Sequence, residues 1–219
     1  MRRLALPKMK KINALQYKVG FFGGSFDPIH LGHLNIAIEL AERHKLDEVF
    51  VCPTSQSPFK KEKPPIASKD HRRAMVTAAI SPLPNFTLLD FELQKSMPCY
   101  TIDTIRQLLT IDEQHKKNKS YFLLLGEDAI EHFHAWREVE ELIKLAAPLI
   151  GSRQTKSFPR KGLSPALLSA IEKGLTQIPL MEISSTEIRE RLQKGLYCGH
   201  LLPAKVLDYI QQHELYQKK

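Results

Sequence analysis

Cysteine is scarce: Cys52, Cys99 and Cys198 are the only three in 219 residues, widely separated and without a CxxC pair. That excludes a zinc ribbon, a dithiol redox site and a disulfide framework, and it points to a reducing cytoplasm. No apolar run approaches the roughly 18 residues of a bilayer crossing, so no membrane partner is expected. Neither GxGxxG nor GxxxxGK[ST] occurs, which removes support for a hydride-transferring dinucleotide fold and for a P-loop kinase. Internal repeats and low-complexity tracts are absent as well. Acidic residues are in the minority, 24 against 32 basic, for a net charge of +8. The excess favours a polyanionic partner, and charge alone does not choose among nucleic acid, an acidic membrane and a phosphate-bearing small molecule. The chain carries neither an aromatic-studded basic face nor a nucleic-acid motif, so nucleic acid is not the expected partner.

With 42% hydrophobic and 26% charged residues, the chain has the balance of an ordinary globular domain. The stretch 1–17 contains five basic residues and no acidic one. It lacks the apolar centre of an export signal and reads as a disordered basic extension, leaving 18–219 as a single domain. Val19 to Phe22 is a short apolar run ending in Gly23-Gly24, and Leu34, Ala37, Ile38 and Ala41 follow at i, i+3, i+4 and i+7, which is strand, glycine turn and amphipathic helix. Glu48 to Cys52 reads as a second strand stopped by Pro53. A helix is entered at Ser68, Phe86 to Leu89 is strand-like, and Thr101 is placed to cap a helix through Leu109. Tyr121 to Leu125, bounded by Gly126, suits a strand buried on both faces, and another strand ends at Ile150. The alternation predicts an α/β fold with a Rossmann-like parallel sheet, helices on both faces and a helical C-terminal part. Ligands then gather at the carboxyl ends of the strands, where helix amino-termini converge.

The chemistry concentrates in two stretches. In Gly23-Gly24-Ser25-Phe26-Asp27-Pro28-Ile29-His30-Leu31-Gly32-His33, glycines after a buried strand let backbone N–H groups approach a phosphate without a Cβ in the way. His30 and His33, three apart at a helix start, can face one point above the strand end, with Gly32 leaving that surface clear. Two imidazoles there can hydrogen-bond phosphate oxygens and, when protonated, offset charge developing on them. A surface or capping histidine, or a metal pair completed from elsewhere, is the plainer alternative. Near the other end, Ser184 and Glu187 have capping-box spacing, which alone only opens a helix. Ser185, Thr186 and Arg189 add hydroxyls and a guanidinium to that first turn and make a second anion site.

These motifs, with Gly126-Glu127-Asp128 after a buried strand, resemble the HxGH nucleotidyltransferase superfamily. The middle of the chain, notably Cys99 to Thr104, Phe133-His134-Ala135-Trp136 and Leu201-Leu202-Pro203, is similar to its bacterial nicotinate mononucleotide adenylyltransferase branch. The resemblance implies adenylyl transfer from ATP to nicotinate mononucleotide, giving deamido-NAD and pyrophosphate in NAD biosynthesis, with Mg²⁺ among the phosphate oxygens. It implies that His30, His33 and Arg189 are catalytic, and that Gly23, Gly24, Ser25, Phe26, Gly126, Asp128, Ser185 and Thr186 bind ATP. Lys60, Thr101, Trp136 and Arg153 would form the acceptor site. On residue type alone, Lys60 and Arg153 pass for solvated charges, Trp136 for a packing residue and Thr101 for a cap. The chain departs from the family pattern at Pro53-Thr54-Ser55, at Ser57-Pro58-Phe59-Lys60 and at Gln154-Thr155-Lys156, so the choice between nicotinate and nicotinamide acceptors stays open, as does self-association. A phosphopantetheine adenylyltransferase, a cytidylyltransferase and a non-catalytic basic nucleic-acid binder are the alternatives.

Overall fold

The computed structural model describes residues 16–55, 64–95, 98–152, 162–179 and 181–217. Six parallel strands form one sheet in the order β3-β2-β1-β4-β5-β6. They are β1 (Tyr17–Gly24), β2 (Glu48–Pro53), β3 (Phe86–Leu88), β4 (Lys119–Gly126), β5 (Ala146–Ser152) and β6 (Leu175–Gln177). The helices between and after them are α1 (Leu31–His44), α2 (Lys69–Ile80), α3 (Thr101–Gln114), α4 (Ile130–Phe133), α5 (Val139–Leu145), α6 (Pro165–Gly174), α7 (Ser185–Gln193) and α8 (Ala204–Gln212). The α/β expectation is met.

Alternation along the central strands feeds two cores. Val19 and Phe21 of β1 and Tyr121, Leu123 and Leu125 of β4 join Ile105, Leu142 and Ile171 on one face. Phe22 and Leu124 turn to the other, against Ala37, Met75 and Val206. Gly20 is where the second face comes closest, since a Cβ there would lie 2.9 Å from Leu46 and Leu124 carbons. Each fully buried Leu or Ile contributes on the order of 2 kcal/mol, so this two-sided burial fixes the register of the sheet.

Strand order reverses between β1 and β4, whose carboxyl ends, Gly23-Gly24 and Gly126, open on the crevice where such sheets bind ligands. Ser68 caps α2 where the sequence placed a helix start, its Oγ accepting from His71 N–H at 3.2 Å, and the structure adds a second cap at α6, where Ser164 Oγ accepts from Leu167 N–H at 3.2 Å. Three local expectations are corrected. Tyr100, not Thr101, holds the N-cap position of α3, without a side-chain cap bond, and the helix runs on to Gln114 because Leu108 and Asp112 continue the buried stripe. Ser184 caps α7 through the Thr186 N–H at 3.2 Å instead of closing a capping box with Glu187. Tyr17, assigned by sequence to the extension, is the first residue of β1 and pairs opposite Lys119. Residues 1–15 lie outside the described ones. Among the described residues no helix is long and apolar enough to cross a membrane.

Candidate functional site

A cleft of about 1260 Å³ opens at the switch point. Gly23, Gly24, Ser25 and Phe26 at the end of β1 and in the turn after it, His30 and His33 at the start of α1, Gly126 at the end of β4 and Asp128 beyond it, and Ser185, Thr186 and Arg189 of α7 all line it. All eleven residues expected to be catalytic or to bind ATP therefore line one cavity.

His30 and His33 are locked to each other. His30 is the N-cap of α1, with its Nδ1 accepting from His33 N–H at 3.3 Å, while His33 Nδ1 accepts from His30 N–H at 3.3 Å. The capping box of this chain is thus made by two imidazoles, their rings stacked with centroids 3.6 Å apart. An Nδ1 that accepts a backbone proton carries none, so this hydrogen-bond network assigns the ring proton of each neutral histidine to Nε2. His30 is 5% exposed, and burial lowers its pKa to about 4. Near neutrality it is an uncharged N–H donor, so of the two roles considered from sequence, hydrogen bonding and charge offset, the ligand-free site favours the first at this position. Gly32 permits the pairing: a Cβ there would meet His30 Nδ1 and the Met181 carbonyl, both at 3.2 Å.

The two end motifs touch. Ser185 Oγ donates to the Pro28 carbonyl at 2.9 Å, and Arg189 Nη1 donates to the Asp27 carbonyl at 2.6 Å and stands 3.8 Å from its Oδ2. Arg189 Nη2 donates to Thr186 Oγ1 at 3.1 Å. The turn is therefore partly self-braced, with Arg189 oriented by two partners before any ligand arrives. Asp27 is buried and accepts from Ile66 N–H at 2.8 Å, Ala67 N–H at 3.0 Å and Tyr216 Oη–H at 2.8 Å. Burial raises the pKa of Tyr216 and the Asp27 carboxylate adds to that, keeping the phenol a donor.

A smaller cleft of about 190 Å³ lies beside the first and shares Gly23, Gly24, Ser25, Leu124, Leu125 and Trp136 with it. Thr101 and Tyr100 at the start of α3, Thr54 after β2, Arg137, Cys99 and the buried Glu92 complete its polar lining. Trp136 is half-buried, edge-on to Phe133 with centroids 5.1 Å apart, and faces both clefts. Thr101 and Trp136 are thus brought together as expected, whereas Lys60 and Arg153 lie outside the described residues. Sequence reasoning missed Arg137, whose guanidinium lies 4.8 Å from the Tyr100 ring centroid and 3.6 Å from Asp103 Oδ2. Its adjacency to Trp136 was the available signal. It also missed Asp27 and Arg72 as organisers, because nothing in one sequence says that a charged side chain is buried.

Among the described residues no three of His, Cys, Asp and Glu converge as a metal cage.

The sequence matches the cytidylyltransferase-like family over residues 21–191. It is 40% identical over 206 residues to a probable nicotinate-nucleotide adenylyltransferase of Dehalococcoides mccartyi, covering 92% of this chain and 98% of that protein. It is 36% identical over 199 residues to one of Oceanobacillus iheyensis, covering 91% and 96%. The nicotinic acid mononucleotide adenylyltransferase of Plasmodium falciparum, solved in complex with NaAD, superposes with a TM-score of 0.69 at 26% identity, covering 91% of this chain and 97% of that one. Strand order, the paired histidines over the switch point and these likenesses agree: the chain belongs to the cytidylyltransferase-like family and to its nicotinate-nucleotide adenylyltransferase members.

Proposed function

We propose that the protein joins the adenylyl group of ATP to the phosphate of nicotinate mononucleotide, releasing pyrophosphate and deamido-NAD. The observation that carries the reading is the convergence of His30, His33, Ser185, Thr186 and Arg189 on one cleft that adjoins a second, aromatic-lined one across Gly23-Gly24-Ser25.

In this reading the larger cleft holds ATP and the smaller one the pyridine nucleotide. An oxygen of the acceptor phosphate attacks the α-phosphorus in line, a new P–O bond forms, and the bond to the bridging oxygen of the β-phosphate breaks as pyrophosphate leaves. No side chain is covalently modified. The protein aligns two polyanions and stabilises charge on equatorial and leaving oxygens. His30 contributes a neutral Nε2–H donor from a buried position, where a fixed dipole is worth more than in water. His33, tied to it, directs a second Nε2–H. Arg189 supplies full positive charge, and the Ser185 and Thr186 hydroxyls offer further contacts from the opposite wall. Asp128 accepts from a ribose hydroxyl, and Trp136 presents its face to the pyridine ring. A divalent ion, Mg²⁺ in this reading, would be held by the triphosphate's own oxygens and supply neutralisation of their charge.

The acceptor is set by the smaller cleft. Its wall carries both Arg137, paired with Asp103 and Glu138, and the acidic Glu92, so the nicotinate acceptor is taken from the relatives named nicotinate-nucleotide adenylyltransferase. A cytoplasmic setting fits the cysteine usage. The test is pyrophosphate release with ATP, Mg²⁺ and either nicotinate or nicotinamide mononucleotide. Turnover with the first and a much slower rate with the second are expected, and background release with both would refute the reading.

A further inference from the structure

Arg72 is a large cation in an unusual place. It sits in the first turn of α2, is 1% exposed, and points under the β1 turn. Its Nη1 donates to the Ser25 carbonyl at 2.7 Å and to the Thr54 carbonyl at 2.6 Å, and its Nη2 to the Ser55 carbonyl at 3.3 Å. Ladder pairing of β1 with β2 ends at Gly24 opposite Pro53, followed by one more backbone bond, Thr54 N–H to the Gly24 carbonyl at 2.9 Å. Beyond that point the strands part, and the guanidinium takes over where backbone pairing stops. The two chains it joins serve different clefts: Ser25 lines both, and Thr54 lines the smaller.

We infer that Arg72 is a positioning residue that sets the register between the ATP-binding turn and the acceptor-binding segment, and so the approach of the acceptor phosphate to the α-phosphorus. The inference rests on the assignment of the two clefts given above. Three carbonyls from two diverging segments need a planar fork with several donors, which a guanidinium provides and an ammonium does not. The ring of contacts makes no use of either substrate, so each substrate binds separately without it. What depends on it is the alignment of one against the other, and a displacement of about 1 Å between reacting groups costs on the order of a hundredfold in rate.

The test compares wild type with Arg72→Lys and Arg72→Ala. Melting temperature, ATP affinity in the absence of acceptor, and kcat and KM for both substrates are measured with and without added guanidinium ion. Arg72→Lys is expected to lose roughly ten- to a hundredfold in kcat with ATP affinity within about threefold of wild type, and guanidinium ion is expected to restore part of the kcat of Arg72→Ala. Wild-type kcat in folded Arg72→Lys overturns the inference. So does a loss that appears only in KM, or one that follows the unfolded fraction alone. If neither variant yields folded protein with or without guanidinium ion, Arg72 is a residue of the fold and the inference falls. Failure of wild type itself to turn over would instead refute the assigned reaction.

Discussion

Arg189 and Asp27, 162 residues apart in sequence, are joined by a 2.6 Å hydrogen bond from a guanidinium Nη1 to a backbone carbonyl, with the Asp27 carboxylate 3.8 Å from the same nitrogen. This contact brings the rear motif onto the front one, and its loss is expected to be felt as chemistry. Arg189→Lys keeps the charge but cannot reach both Asp27 and Thr186 in a plane. Its kcat/KM for ATP is expected to fall roughly tenfold or more, with a melting temperature near that of wild type. Unchanged steady-state kinetics would place the arginine in a purely structural role.

Asp27 gathers donors from three segments, so Asp27→Asn substitutes an N–H₂ where an acceptor is required. One buried donor then loses its partner, at a cost of about 1–3 kcal/mol. Urea unfolding is expected to shift to lower denaturant with an unchanged slope. Tyr216→Phe, which removes one of those donors, is expected to cost less, on the order of 1 kcal/mol.

His30 governs a pH dependence. Its pKa is about 4 in the folded protein and near 6.5 when unfolded. Between those values the unfolded chain binds a proton that the folded one refuses. The stability contributed by neutral His30 is fully present above pH 6.5, declines by up to about 1.4 kcal/mol per pH unit as pH falls toward 4, and then levels off. Melting curves of wild type and His30→Gln between pH 4 and 7 should diverge in that window and run parallel above it. His33→Ala, by contrast, is expected to reduce kcat by roughly a hundredfold or more, because it removes a donor to the transferring phosphates, at a cost of about 1–2 kcal/mol in stability because the His30 N–H loses its acceptor.

Trp136 stands between two clefts and is expected to act on the acceptor. Trp136→Ala should raise KM for nicotinate mononucleotide by roughly three- to tenfold, the worth of an aromatic contact, while ATP affinity measured alone changes little. A rise confined to ATP would move the ring to the other substrate.

Chelation offers a contrast between activity and stability. Excess EDTA is expected to bring turnover to background without moving the melting temperature of the substrate-free protein, because among the described residues there is no protein cage to empty. A fall in melting temperature would point to a resident ion bound by the protein itself.

Much of this architecture was legible in the residues. The alternation of apolar runs with i, i+3, i+4 patterns gave the parallel sheet, since strands buried on both faces leave a continuous apolar signature. The glycines before His30 and the hydroxyl-rich turn before Arg189 located both walls of the larger cleft. What stayed hidden has physical causes. Leu175 to Gln177 is too short and polar to register as a strand, and α4 has only four residues and no side-chain cap. The mutual capping of His30 and His33 was invisible because histidine is an uncommon cap, and the burial that favours the neutral form of His30 is something a sequence does not record. Arg72 was concealed for the same reason, as an arginine in a first helical turn ordinarily points to water.

The sheet tapers at both sides. Its inner strands run six to eight residues, whereas β3 and β6 at the two margins have three each. Margins so short present few unpaired N–H and C=O groups to a passing chain, so strand-to-strand recruitment, the usual route from a parallel sheet to fibrous aggregates, has little to build on. Any assembly of copies of this protein should therefore form through its helical faces.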